Sequence, residues 1–210
     1  VFSRAVAIMN GILVVYQEAI PLPTRTQRLV LAALFAALTA AGAFIRVSVP
    51  PVPFTLQVLF AMWSGLLLGP RLGLASQIGY LITGLVGVPV FSNGGGVGYV
   101  VSPTFGYLLG LAAGAYVAGT LSRGRGPSKP GFWRLFAAAL AGLAATYAIG
   151  VPYLYLILNK VVGAPLSLSA AIIRGCLLFL PWDVAKMALA AWLAAAILRR
   201  LPTQDGSPSI

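Results

Sequence analysis

"AAIIRGCLLFLPWDVAKMALAAWLAAAIL", Ala170–Leu198, is an apolar run with an aspartate and a lysine inside it, Asp183 and Lys186. A helix needs roughly 20 apolar residues to cross a bilayer, and this run exceeds that. The whole chain agrees with a bilayer as its solvent. Of its 210 residues 60% are hydrophobic and 8% charged, and the mean hydropathy is +0.95. A soluble domain carries about 25% charged residues.

Composition also excludes several classes of chemistry. Glu18, Asp183 and Asp205 are the only acids, and the net charge is +11. That charge does not mark a nucleic-acid binder, because the basic residues sit between apolar runs rather than on one face. With no histidine and one cysteine, Cys176, the chain has no histidine triad, no multi-cysteine metal site and no intrachain disulfide. Nor is an activated nucleophile or acid pair visible, so the chain does not read as an enzyme. The apolar stretch Ala5–Tyr16 contains Asn10 and Gly11 and is followed by no small-residue cleavage site. It is too short to span and reads as an interfacial or disordered extension.

Six runs are candidate spans: about Arg28–Val47, Phe54–Gly69, Arg71–Gly87, Thr104–Ser122, Phe132–Leu158 and Leu168–Leu198. The second and third are short and divided only by "GPR", so their boundary is the weakest. If the spans alternate, Arg4, Arg25, Arg28, Arg71, Arg123, Arg125, Lys129, Arg134, Arg199 and Arg200 share one side, and Arg46 and Lys160 the other. Basic residues mark the cytoplasmic side. The expectation is an all-α integral membrane protein of six helices with both termini cytoplasmic. Residues 1–24 form an extension, 25–200 the membrane domain and 201–210 a tail.

Two unusual loops then lie outside. "RVSVPPVPFTLQ" is stiffened by proline. "GVPVFSNGGGVGYVVSPTFGY" is rich in glycine, which permits close backbone approach. Neither GxxxxGK[ST] nor GxGxxG with a following helix occurs, so no ATP site of those types is encoded. In the first span Ala32, Ala36 and Ala40 recur every four residues, and so do Ala33, Ala37 and Ala41. Small residues at this spacing let helices approach closely, either within the protein or against a membrane partner.

Asp183 and Lys186 share one helix face. Arg199 closes the helix 16 residues after Asp183, which places the acid roughly 24 Å up the helix, in the outer part of the core. Pro181 predicts a kink just before the pair. Three readings stand: a structural ion pair, a proton or ion relay, and a polar grip for a ligand from outside. A carboxylate only accepts and an ammonium only donates. Side by side they suit a ligand carrying N–H groups next to a carbonyl or carboxylate.

"PPVPFTLQVLF" and "GLLLGPRLGLASQIGYLITGLVGVPVFSNGGGVGYVVSPTFGYLLG" closely resemble the BioY family, the biotin-binding S components of energy-coupling-factor (ECF) transporters. "FLPWDVAK" is similar to the family's Asp-x-x-Lys segment, and the alanine stripe to the motif that contacts the coupling partner. The resemblance covers about Arg28 to Arg200. It implies a prokaryotic plasma-membrane protein that captures biotin at its outer end. A transmembrane coupling protein (T component) and two ATP-binding-cassette ATPases would supply the energy, with no cofactor or metal on this chain. Asp183 and Lys186 fall on the family's polar pair and Asn93 in its ligand-contacting loop. Gln57 and Tyr107 join them from placement near the outer ends of spans two and four. The Gly94–Gly96 backbone N–H groups would meet the far end of the ligand. Ala32, Ala33, Ala36 and Ala37 are the candidate partner contacts. The rival reading is a proton-coupled secondary transporter of a small polar solute that uses Asp183.

Overall fold

A computed structural model describes residues 24–47, 51–123 and 129–200. The extension expected over 1–24 lies outside the described residues except for Thr24, and the tail at 201–210 lies wholly outside them. The chain divides into two units between Val30 and Leu31. In the first, "TRTQ" begins helix α1, Arg25–Phe44. The Thr24 backbone N–H donates to Gln27 Oε1 at 2.8 Å, and the Gln27 N–H donates to Thr24 Oγ1 at 3.2 Å. This reciprocal pair satisfies two N–H groups that a helix start leaves open.

In the second unit α1 ends at Phe44, short of the Val47 expected from hydropathy. Arg46–Val47 (β1) instead pairs antiparallel with Phe54–Thr55 (β2), with Arg46 opposite Thr55 and Val47 opposite Phe54. The proline-rich loop is therefore partly a short hairpin. Helix α2 covers Gln57–Leu68 and α3 covers Pro70–Leu85. Gly69 alone joins them, at φ 82°, a conformation that glycine adopts without strain. Pro70 opens α3 where no N–H is needed, so the chain reverses in one residue and Arg71 lies inside the helix.

After a 3-10 turn at Val97–Val101 come α4, Phe105–Ser122, and α5, Phe132–Ile157, which runs on into a π turn at Leu158–Val162. The last apolar run is interrupted. Helix α6, Leu168–Ile172, passes into a π turn at Ile173–Leu177, and α7, Leu180–Arg200, starts afresh. Pro181 is the second residue of α7, so the interruption falls just ahead of the proline.

Among the described residues, four helical segments are long and apolar enough to cross a membrane: α1, α4, α5 with its π turn, and Leu168–Arg200. Helices α2 and α3 hold 12 and 16 residues, roughly 18 and 24 Å of rise, less than a ~30 Å core.

Helix α4 is the centre of the packing, lying against α2, α3 and α5. Glycine makes this possible. A Cβ at Gly110 or Gly114 of α4 would strike α5 at Thr146 or Gly142, and one at Gly142 would strike Gly114. Thr146 Oγ1 stitches the pair, its one proton shared between the carbonyls of Gly110 at 3.1 Å and Gly142 at 3.0 Å. A second polar knot lies among α1, α2 and α3, where the Gln77 side-chain amide donates to Thr39 Oγ1 and Ser76 Oγ, both at 3.1 Å.

At the end of the bundle where α2, α4 and α7 finish, cations meet their last carbonyls. Arg123 donates to the Leu68 carbonyl, Arg134 to those of Leu121 and Arg123, and Lys129 to that of Arg199. These carbonyls have no partner within their helices, and they attract positive charge. The opposite end carries the hairpin, the glycine-rich loop and the interrupted helix.

Candidate functional site

Those three features roof a cavity with about 600 Å³ of empty space, counting its open mouth. Asp183 and Lys186 enter it from the first turns of α7, and each is 7% exposed. Lys186 Nζ donates to Asp183 Oδ1 at 2.6 Å and to the Thr55 carbonyl of β2 at 2.7 Å. It also stands 3.7 Å from the centroid of the Phe54 ring, within cation–π range. The Tyr147 hydroxyl, from the middle of α5, donates to Asp183 Oδ2. The buried charges are thus paired and hydrogen-bonded, the condition under which such groups are tolerated in a membrane interior. Each carboxylate oxygen accepts more than one hydrogen bond, so Asp183 retains acceptor capacity toward the cavity.

The remaining walls are aromatic and hydroxylic. Phe54 stacks on Phe179 with centroids 6.4 Å apart. Tyr107 of α4 meets Tyr147 edge to face at 6.3 Å, and its hydroxyl donates to the Gly175 carbonyl at 2.7 Å. That bond holds the π turn before α7 against α4. Ser92, Tyr99, Thr104 and Ser102 form a hydroxyl chain with spacings of 3.3, 3.1 and 3.0 Å, and Ser92 and Thr104 line the cavity. Gln57 lines it as well, its amide nitrogen 2.7 Å from the Tyr80 hydroxyl and its oxygen 3.0 Å from Thr55 Oγ1. The cavity therefore combines an apolar, ring-lined body with a few fixed donors and acceptors. That is the make-up of a site that binds a small, partly apolar molecule.

A sequence model of the BioY family matches residues 7–203. The chain belongs to the BioY family. A relative from Lysinibacillus sphaericus, named a probable biotin transporter BioY, is 47% identical over 174 residues, covering 82% of this chain and 85% of its own. A biotin transporter BioY from Thermotoga maritima is 38% identical over 169 residues, covering 80% and 94%. By name these relatives are transporters, not enzymes. Among solved structures, the S-component for biotin from an ECF-type ABC transporter matches with a TM-score of 0.74 and 23% identity, over 89% of this chain and 98% of that one. This last likeness concerns the fold.

On this BioY-family fold, Asp183, Lys186, Gln57 and Tyr107 come together in one cavity. Asn93 does not join them. It is exposed, and its Oδ1 accepts from Arg46 at 2.6 Å, tying the glycine-rich loop to the hairpin. Its neighbour Ser92 lines the cavity instead. Two of the glycine N–H groups expected at the ligand are already engaged: Gly94 donates to the Phe91 carbonyl and Gly96 to that of Gly84. Tyr147 escaped the sequence reading. Its signal was a tyrosine in mid-span, where hydrocarbon offers no partner, rather than in the interfacial belt where tyrosine is usual.

The two alanine registers of α1 also separate. Ala32 is buried, and Ala36 and Ala40 pack partly buried on the core. Ala33, Ala37 and Ala41 face outward.

Proposed function

We propose that this chain captures biotin in the cavity beside Asp183 and Lys186, as the S component of an ATP-driven ECF importer. The observation that carries the reading is the buried, opposite-charge pair in a ring-lined cavity of a BioY-family chain. The ureido ring of biotin holds two N–H donors and one carbonyl. Asp183 accepts from an N–H, and Lys186 donates to the carbonyl, or to the valerate carboxylate in an inverted pose. The rings of Phe54, Phe179, Tyr107 and Tyr147 enclose the apolar body. The family gives the proton-coupled alternative no support.

In this reading residues 25–200 cross the plasma membrane six times, with both termini cytoplasmic. The short α2 and α3 complete their passages with the flanking hairpin and loop. The ten-to-two division of basic residues supports that orientation. ATP hydrolysis belongs to partner ATPases. The outward register of α1, Ala33, Ala37 and Ala41, docks the T component.

The test is equilibrium binding to the purified chain in detergent. Biotin should bind saturably. Desthiobiotin, which keeps the ureido ring, should compete, and lipoic acid, which keeps a valerate and a sulfur ring but no ureido, should not. Equal competition by both analogues would remove the ureido from the account.

A further inference from the structure

Tyr80 of α3 is 2% exposed and does not line the cavity, yet it touches a residue that does. Its hydroxyl has one proton to give. At 3.0 Å lies the Val90 carbonyl, which can only accept. The proton therefore goes to Val90, and the Tyr80 oxygen is left to accept. The Gln57 amide stands 2.7 Å away, so the end of that amide facing Tyr80 must be its NH2. The other end agrees, since the Thr55 hydroxyl donates to Gln57 Oε1 at 3.0 Å. The Gln57 backbone N–H donates back to Thr55 Oγ1 at 3.4 Å, so that hydroxyl is itself held in place. Of the two N–H bonds on Gln57 Nε2, one is directed at Tyr80. The second meets no acceptor among the described residues, and Gln57 is part of the cavity wall.

We infer that Tyr80 is a positioning residue for the ligand: by accepting from Gln57 while donating to Val90, it fixes the amide so that the wall presents an N–H donor to a carbonyl or carboxylate oxygen of the bound molecule. This rests on the biotin-capture reading and adds to it a donor separate from Lys186. A glutamine free to turn over would offer either an acceptor or a donor there, and would discriminate poorly between ligands. Tyr80 also packs edge to face on the buried Phe91, centroids 5.4 Å apart, so it supports the loop as well as Gln57. The experiment has to separate these two roles.

Tyr80→Phe keeps the ring and its packing and removes both hydrogen bonds. Gln57→Met keeps the length of the side chain and removes the donor. Biotin dissociation constants are measured for the wild type, both single variants and the double variant, on protein shown to be folded. Each single variant should weaken binding by about 3- to 10-fold, the worth of one neutral hydrogen bond. Once Gln57 is methionine, adding Tyr80→Phe should change affinity by less than about 2-fold, since Tyr80 then has no donor to orient. If Tyr80→Phe costs the same in both backgrounds, its role is support of the Val90 loop and the inference falls. It falls equally if Gln57→Met binds like the wild type, a result that needs no folded Tyr80 variant. If the wild type itself shows no biotin binding, the functional reading fails and takes this inference with it. Binding by the wild type with an additive cycle overturns the inference alone.

Discussion

Tyr147, Asp183 and Lys186 form a chain in which each polar atom depends on the next. Removing the charge at Asp183 strands an ammonium at membrane depth, and removing Lys186 strands a carboxylate. Asp183→Asn should weaken biotin binding by roughly 10- to 150-fold, because a hydrogen bond to a charged group is worth about 1.5–3 kcal/mol. Lys186→Met should do so comparably, since it leaves the buried Asp183 carboxylate without its counter-charge. Tyr147→Phe removes one donor from Asp183 and leaves the ion pair, and it acts on the ligand only through Asp183, so the expected loss is smaller than that of Asp183→Asn. Isothermal titration of the three variants checks this order. A Tyr147→Phe loss as large as that of Asp183→Asn would mean that the hydroxyl touches the ligand directly. At this scale the sequence was informative wherever chemistry is rare. A charged pair in an apolar run announces itself, whereas the Gln57–Tyr80–Val90 bridge depends on a contact between residues 23 positions apart, which no local pattern encodes.

Helix α1 carries two alanine stripes that periodicity treats alike, because residues one position apart repeat every four with the same regularity. Packing divides them. Ala32 is buried and Ala36 partly so, while Ala33 and Ala37 stay open. Ala33→Trp or Ala37→Trp should therefore abolish copurification with the coupling protein while biotin binding persists. Ala32→Trp should lower the melting temperature instead. Loss of partner binding from the buried register alone, in folded protein, would reverse the assignment. The close contact of α4 with α5 permits a parallel test. Gly114→Leu forces a side chain into Gly142 and Thr146 and should destabilise by about 1–3 kcal/mol, read from thermal melting in detergent. The signal for this contact, "FGYLLGLAAG", where Gly106, Gly110 and Gly114 recur every four residues, escaped the sequence reading. The early end of α1 and the hairpin after it gave no such signal. Apolar residues flank Arg46 on both sides in "AFIRV", and strand pairing across a proline-rich loop is a tertiary choice.

At the largest scale, the second unit has two ends of different chemistry. Arginines and a lysine close the carbonyl ends of α2, α4 and α7, and the cavity opens at the opposite end. Cysteines placed at Val97 and Gly131 in a Cys176→Ser background report the orientation. In intact cells an impermeant thiol reagent should label Val97→Cys and spare Gly131→Cys, and the reverse pattern would invert the topology. The central claim is that the Asp183–Lys186 pair grips the ligand rather than only holding the fold. Removing both charges at once removes the burial cost along with the grip, so the double variant Asp183→Asn/Lys186→Met separates the two. The deciding measurement is its biotin affinity, on protein shown to be folded, beside the wild type. Binding weakened at least as far as in either single variant is the predicted result, and near-native affinity would contradict the account.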